Sequence, residues 1–570
     1  MKIKYASGNE KWVLILILFL LLSNNEILAE EKQDARYIKL MKEYTFHEDG
    51  STEFTYVQQL EYLSYYAIHR EYGQTSLIYN PLDQKVDINY AFTIMKDGRK
   101  VISPKNAINE VLPHQAASAP AYNYLRRLVI THTGLEIGAV SKLSYTVRSN
   151  AGLMPALMGN ERILQSAACD EYIIRVKVPN QFFLKFELKN SNVEQVVSKN
   201  DSFQTFTWHF KNLPAYSLES NQPHPSQHEP YLLFSTTSMK ELYFSFISQE
   251  AFGFQLSEKI RNWVDEIDIS YPDQLPFILH LQEKIAMNFG TYPLSLEQTN
   301  YKVRIPEEVF FSRGGTKAEK AALMTACLQY KGIKAYPIML SSYFKLNESV
   351  GALNAIDDFI VRIHLGNNDI YLPVHLVPDV NLKYSLSKKS MIPVYNGISM
   401  FEIKEEADFK NKTTIIGDIK LGKSAHILSV NEAGFNPMLR IIKNGKAGFD
   451  NLLAGLTIPG EKESVVDVYK LNSYLSEFEL KTELNSSAIS HEHEYYFLTL
   501  PKYNLGIESW HLDVLIPGRK SVFEIPSYGS ETYDYKIKLG KGNSFSKGNY
   551  TISEKNKLGE VNLELKTKKR

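Results

Sequence analysis

The sequence predicts a multidomain α+β chain: a β-sandwich-like unit first, a compact unit of helices and strands in the middle, and a second β-rich unit at the end. Three observations carry that prediction. Asp-Gly pairs stand between alternating segments near the start, apolar residues recur at helical spacing between Pro276 and Tyr330, and strict alternation returns after about Thr414. At 570 residues the chain exceeds what a single core organises, since domains hold roughly 100–200 residues.

The first element is a leader. Lys2, Lys4 and Lys11 precede an apolar run from Trp12 to Leu22, and Ser23, Asn24 and Asn25 lead to a small-residue cut after Ala29. That is the layout of a secretory signal peptide over residues 1–29. The run is shorter than the ~20 apolar residues that cross a bilayer, so the expectation is an exported chain with no transmembrane helix after the leader is removed. No cysteine lies near the cut to carry a lipid anchor.

Residues 30–246 read as the β-sandwich-like unit. YIKLMKEYTF and TEFTYVQQLEYL flank HEDGS, and YAFTIM and KVIS flank KDGR. Asp-Gly between alternating strands marks a hairpin, because glycine takes a positive φ without a Cβ clash. Further strands are expected at Ala139–Val147, Tyr172–Val178 and Phe182–Leu188. The segment NQPHPSQHEP, with three prolines, reads as a connector.

Residues 251–416 read as the helix-and-strand unit. Ile278, Leu281 and Ile285 repeat at helical spacing, a second helix follows from Thr316 to Tyr330, and strands are expected at Ala335–Ser341, Phe359–Leu365 and Asp369–Leu372. Thr316 and Glu319 form the capping box T-x-x-E, in which the hydroxyl accepts from the N3 amide and the carboxylate reaches back to the first amide. Gly314 and Gly315 suit a tight approach to the helix, and Gly332 suits its end. Residues 417–570 are the C-terminal β-rich unit, with YDYKIKL and VNLELK alternating cleanly.

Composition narrows the functional classes. Lys plus Arg equals Asp plus Glu at 64 each, so no global field favours nucleic acid. Cys169 and Cys327 are the only cysteines, and their separation favours two buried thiols over a disulfide. His491–Glu494, HEHE, sets two histidines on one face of a strand, but a zinc site needs a third or fourth ligand. His224 and His228 fit a polar connector better than a metal site. With no Walker loop, dinucleotide fingerprint or HExxH, no cofactor is expected.

A resemblance rests on three ordered segments: LPFILHLQEKIAMNF, RGGTKAEKAALMTACLQYKGIKAYPIML and DFIVRIHLGNNDIYLP. They resemble the transglutaminase-like domain of the papain-like superfamily. The EDGS and KDGRK hairpins, TGLEIGAVSKLSYTV and SQHEPYLLFST resemble the companion "domain of unknown function 3857" of exported bacterial proteins. The resemblance implies a cysteine starting the helix, a histidine opening the next strand and an aspartate ending the one after. Here those places hold Thr316, or Lys317 with a one-residue shift, then Asp358 and Pro373. All three triad positions differ, so the resemblance implies the fold without its chemistry.

The expectation is a non-catalytic binding or scaffold protein of the periplasm or envelope of a Gram-negative bacterium. A groove lined by Gly314, Gly315, Thr316 and Asp358 would take an envelope protein, a peptide or a glycan. The first alternative is a hydrolase or acyltransferase with a rearranged site drawing on Asp358, Glu319, His364 or His375. A second is an accessory protein of a polysaccharide-utilisation system. Cys327 lies on an i, i+4, i+7 stripe with Leu323 and Tyr330 and reads as a core thiol, and His364 falls on the opposite strand face from Phe359, Val361 and Ile363.

Overall fold

The computed structural model describes residues 33–216, 219–343, 345–366, 368–376 and 383–395, followed by strands and short segments between 411 and 567. The leader and part of HEHE, His493 and Glu494, lie outside the described residues.

The N-terminal unit is built on one large sheet. Its strands are β1 (Ala35–Phe46), β2 (Thr52–Tyr62), β3 (Gln74–Tyr79), β4 (Gln84–Ile94), β5 (Lys100–Ile102), β6 (Ile108–Val111) and β7 (Arg126–Thr131). They continue with β8 (Val140–Ser149), β9 (Met158–Arg162), β10 (Ala168–Pro179), β11 (Lys185–Lys189), β12 (Val196–Lys199), β13 (Phe203–Leu213) and β14 (Tyr231–Ser235). Eight of them pair in the order β12-β13-β10-β1-β2-β8-β4-β5, and β11-β14-β9 and β3-β7-β6 form two smaller sheets. Both Asp-Gly hairpins form as the sequence predicts, with Gly50 at φ 83° and Gly98 at φ 86°.

Strand alternation places two cores against each other across β14. Leu232 and Phe234 point into the sandwich core with Leu40, Tyr172, Ile174 and Trp208. Tyr231 and Leu233 point into the core of the central unit. The three-stranded sheet is therefore a shared wall. NQPHPSQHEP does not act as a free connector: its Glu229 takes both Nε and Nη2 of Arg162, at 2.6 and 2.7 Å, and the chain turns straight into β14.

The strand pattern expected up to Phe246 ends earlier. Met239–Ile247 is helix α1, capped by Ser238 and Glu241 and packed into the central core through Leu242, Tyr243 and Phe246. Helices α2 (Glu258–Ser270), α3 (Gln274–Asn288) and α4 (Pro306–Ser312) surround α5 (Lys317–Tyr330). Two short strands, β15 (Gly290–Thr291) and β16 (Gly314–Gly315), pair in parallel and aim the chain into α5.

Helix α5 is the axis of this unit: every residue from Ala318 to Leu328 is buried. A helix apolar around its whole circumference is a core helix, yet this one also buries Glu319, Lys320 and Thr325. Beside it β17 (Ala335–Ser341), β18 (Asp358–Leu365), β19 (Asn368–Pro373) and β20 (Ser390–Pro393) form a sheet in the order β19-β18-β17-β20, with the short helix α6 (Lys383–Ser387) between β19 and β20 in sequence. Phe359, Val361 and Ile363 face α5, while His364 lies on the other face beside Asp369 and Tyr336. Cys169 and Cys327 are both buried free thiols, and burial raises the pKa of each, to about 12 for Cys169.

β21 (Asn411–Lys420) pairs antiparallel with β22 (Ser424–Glu432) and parallel with the strand Gly529–Lys538. A boundary at 416 would cut this strand, so the C-terminal sheet begins at Asn411. Among the described residues no helix is long and apolar enough to cross a membrane.

Candidate functional site

The start of α5 is a closed polar knot. Thr316 caps the helix in the way the sequence predicts: its Oγ1 accepts from the Glu319 amide at 3.4 Å, and its own amide donates to Glu319 Oε2 at 2.8 Å. What local sequence could not show is how many further groups converge on Glu319. Arg304 donates from Nε to Oε1 and from Nη2 to Oε2, both at 2.9 Å, and its backbone amide adds a third bond at 3.2 Å. Tyr122, from a turn of the N-terminal unit, donates its phenol to Oε1.

These contacts seal the helix start. Glu319 is 0% exposed and Thr316 5%. Tyr122 packs edge-on against Tyr292 at 6.1 Å, and the Arg304 guanidinium lies 5.5 and 5.6 Å from the two rings. Burial opposes the charge on Arg304, but its bonds to Glu319 outweigh that and hold the pKa above its ordinary value. Burial and the adjacent carboxylate push the Tyr122 phenol up. The knot is thus a carboxylate that accepts from Arg304, Tyr122 and the Thr316 amide, while the Thr316 hydroxyl is engaged as the acceptor of the Glu319 amide.

Gly314 is required here by close approach. A Cβ on it would meet Tyr292 Oη at 2.5 Å and ring carbons at 2.7 Å. Gly314, Gly315 and Thr316 are all buried, so of the four expected groove residues only Asp358 keeps partial exposure.

One turn away a second group of charges is more open. Lys317 Nζ lies 3.1 Å from Asp358 Oδ1, and His375 Nδ1 lies 3.9 Å from the same oxygen. The side chains are 32%, 18% and 22% exposed, so solvent reaches all three. His375 Nδ1 has no hydrogen-bond partner among the described residues. Its place is set by Gln282, buried on α3, which donates to the carbonyls of Pro373 and Leu376 at 2.6 and 2.8 Å. Burial lowers the His375 pKa against the pull of Asp358, with Lys317 and Lys320 acting the same way as burial. Pro373 itself contributes only a carbonyl and pairs with Ile360 in the sheet.

Lys320 is the third charge of this region and is fully buried. Its ammonium donates to the carbonyl of Phe289 and to Thr291 Oγ1, both at 2.8 Å, and burial lowers its pKa from 10.5 to about 8. Because the folded pKa is the lower one, the unfolded chain binds more proton between about pH 8 and pH 10.5. Stability is therefore expected to rise with pH across that window, by at most roughly 1.4 kcal/mol per unit. Urea denaturation at a series of alkaline pH values checks this, and Lys320→Met should flatten the slope.

The remaining candidates fall elsewhere. His364 Nδ1 sits 2.5 Å from Asp369 Oδ1 on the far face of the sheet, and Cys327 is buried down the helix. His224 packs on Tyr231 and Tyr343, with Ser226 Oγ 2.9 Å from its Nδ1. Among the described residues no cluster of three metal-ligating side chains occurs. Tyr122 and Arg304 went unread in the sequence because neither has a local signature; Tyr122 lies 197 positions from Glu319.

Comparison with known proteins adds to this picture. Residues 48–217 match the family model described as "Domain of Unknown Function with solved-structure structure (DUF3857)". No curated protein matches the chain. The crystal structure of a "putative protease" from Parabacteroides distasonis ATCC 8503 is similar at a TM-score of 0.69 and 24% identity, over 93% of this chain and 90% of that one. An M1 zinc metallopeptidase from Deinococcus radiodurans aligns at a TM-score of 0.19 and 10% identity, over 36% of this chain and 42% of that one, too low to indicate a shared fold. The chain thus carries a DUF3857 domain at residues 48–217, within an overall fold shared with the Parabacteroides distasonis structure.

Proposed function

We propose that this is an exported, non-catalytic binding protein of the bacterial envelope, built on a transglutaminase-like centre whose nucleophile position has become a structural cap. The observation that carries the reading is the closure around Glu319. An internal threonine attacks only when a base takes its proton and the substrate can reach it. Thr316 is 5% exposed, and the carboxylate beside it is held by Arg304 and Tyr122. The half-open surface beside Lys317, Asp358 and His375 is where a peptide or glycan would touch this unit.

A peptide-hydrolysis assay with casein and an amine-incorporation assay with a glutamine peptide test this. Thr316→Ala is expected to lose about 1 kcal/mol of stability, the usual worth of a helix cap, and to change turnover in neither assay. Turnover by the wild type that disappears in Thr316→Ala would overturn the proposal.

A second reading is favoured by the Lys317, Asp358 and His375 cluster, which stands at or beside the three positions the family resemblance marks. In that reading the protein is a hydrolase with a rearranged site, and the similar Parabacteroides distasonis protein is described as a "putative protease". It requires casein cleavage that is lost in His375→Ala and Asp358→Asn but kept in Thr316→Ala.

A further inference from the structure

The β3-β7-β6 sheet has two unlike faces. Leu77, Tyr79, Leu128 and Ile130 pack inward against the large sheet. Ser76 and Ile78 alternate with them on β3, and Arg127 pairs with Ile78 across the strands, so these residues face the other way. The loop Ser295–Gln298 of the central unit lies beside this outer face, and together they line a cavity of about 500 Å³ that is open to solvent on one side. This is in the range of roughly 300–1,000 Å³ typical of small-molecule sites, which favour domain junctions.

The lining groups define what fits. Ser76, Gln115, Arg127 and Glu297 reach the cavity with side chains that make no hydrogen bond or ion pair to any described residue. Asn80, Gln84 and Gln298, also in the lining, are held in place by their own neighbours, through bonds of 2.8–2.9 Å. Arg127 opposes a cation and Glu297 opposes an anion, so a neutral ligand is favoured. An apolar ligand would strip water from the free polar groups without replacing their hydrogen bonds. Amides and hydroxyls both donate and accept, as do the vicinal hydroxyls of a sugar, and half-buried Ile78 offers limited apolar surface for a sugar's C–H face.

We infer that this junction cavity is a binding site for a neutral oligosaccharide. A peptide is disfavoured because the cavity lies on the face of the sheet, where side chains and not the backbone ladder are presented. The inference does not rest on the reading of the α5 helix start.

Isothermal titration of the mature chain with gluco-, xylo-, manno- and N-acetylglucosamine tetrasaccharides, and with tetra-alanine, tests it. At least one saccharide is expected to bind, and Gln115→Ala and Arg127→Ala should each weaken it by about tenfold or more. Neither side chain is tied to the protein, so both variants should melt where the wild type does. Lys199→Ala, on the exposed edge strand β12 and away from the cavity lining, should leave the affinity unchanged, which separates a specific loss from a general effect of surface substitution. No binding by any saccharide, saccharide binding indifferent to both cavity variants, or binding of tetra-alanine alone would overturn the inference.

Discussion

Glu319→Ala is expected to destabilise the protein by about 3–5 kcal/mol, the range for breaking a buried ion pair by removing one partner. The cost has identifiable sources. Arg304, whose side chain is 12% exposed, would keep its charge with no carboxylate facing it. The Tyr122 phenol would lose its acceptor, and the first amide of α5 would lose its cap. Glu319→Gln keeps the shape and some of the hydrogen bonds but removes the charge, so its loss should be smaller. Tyr122→Phe deletes one charge-assisted bond and should cost about 1.5–3 kcal/mol. Urea denaturation of the single and double variants checks these values, and the Tyr122 and Glu319 effects should be non-additive because the residues share one network. A Glu319→Ala loss below about 1 kcal/mol would mean that the knot does not hold the two units together.

Gly314→Val is the second large effect, and it comes from overpacking. The added Cβ would lie 2.5 Å from Tyr292 Oη and 2.7 Å from its ring, so either the backbone of β16 or the tyrosine must move. Tyr292 is 3% exposed and lies between Gly314 and the Tyr122 ring. Forced core insertions of this kind cost about 1–3 kcal/mol and occasionally more. Combining Gly314→Val with Tyr292→Ala should recover part of the loss, because the smaller side chain makes room for the valine. A Gly314→Val protein with wild-type stability would contradict the close approach.

The sequence made the fold legible where structure is dictated locally. The two Asp-Gly hairpins, the T-x-x-E cap and the strands β17 and β18 each depend on residues only a few positions apart, and each forms. Helix α1 carried the same kind of signal in Ser238 and Glu241, but the aromatic run LYFSF that follows reads equally well as a strand. Arg304 and Tyr122 could not be read as partners of Glu319, because nothing in their neighbourhoods distinguishes them from ordinary surface residues. Glu319 was legible as a cap and illegible as an ion-pair partner. The cluster of Lys317, Asp358 and His375 was named residue by residue, yet its convergence depends on the crossing of α5, β18 and the end of β19.

The central position of β1 has a consequence for how the chain reaches its final shape. This strand lies between β2, its hairpin partner, and β10, which joins it in parallel with Arg36 opposite Ala168. Until Ala168–Pro179 has been synthesised and delivered, one side of β1 presents bare amides and carbonyls to whatever strand it meets. Pairing across so much intervening chain is intrinsically slow. Fragments ending before residue 168 should therefore self-associate through that side, whereas fragments that include β10 and its neighbour β13 should remain dispersed.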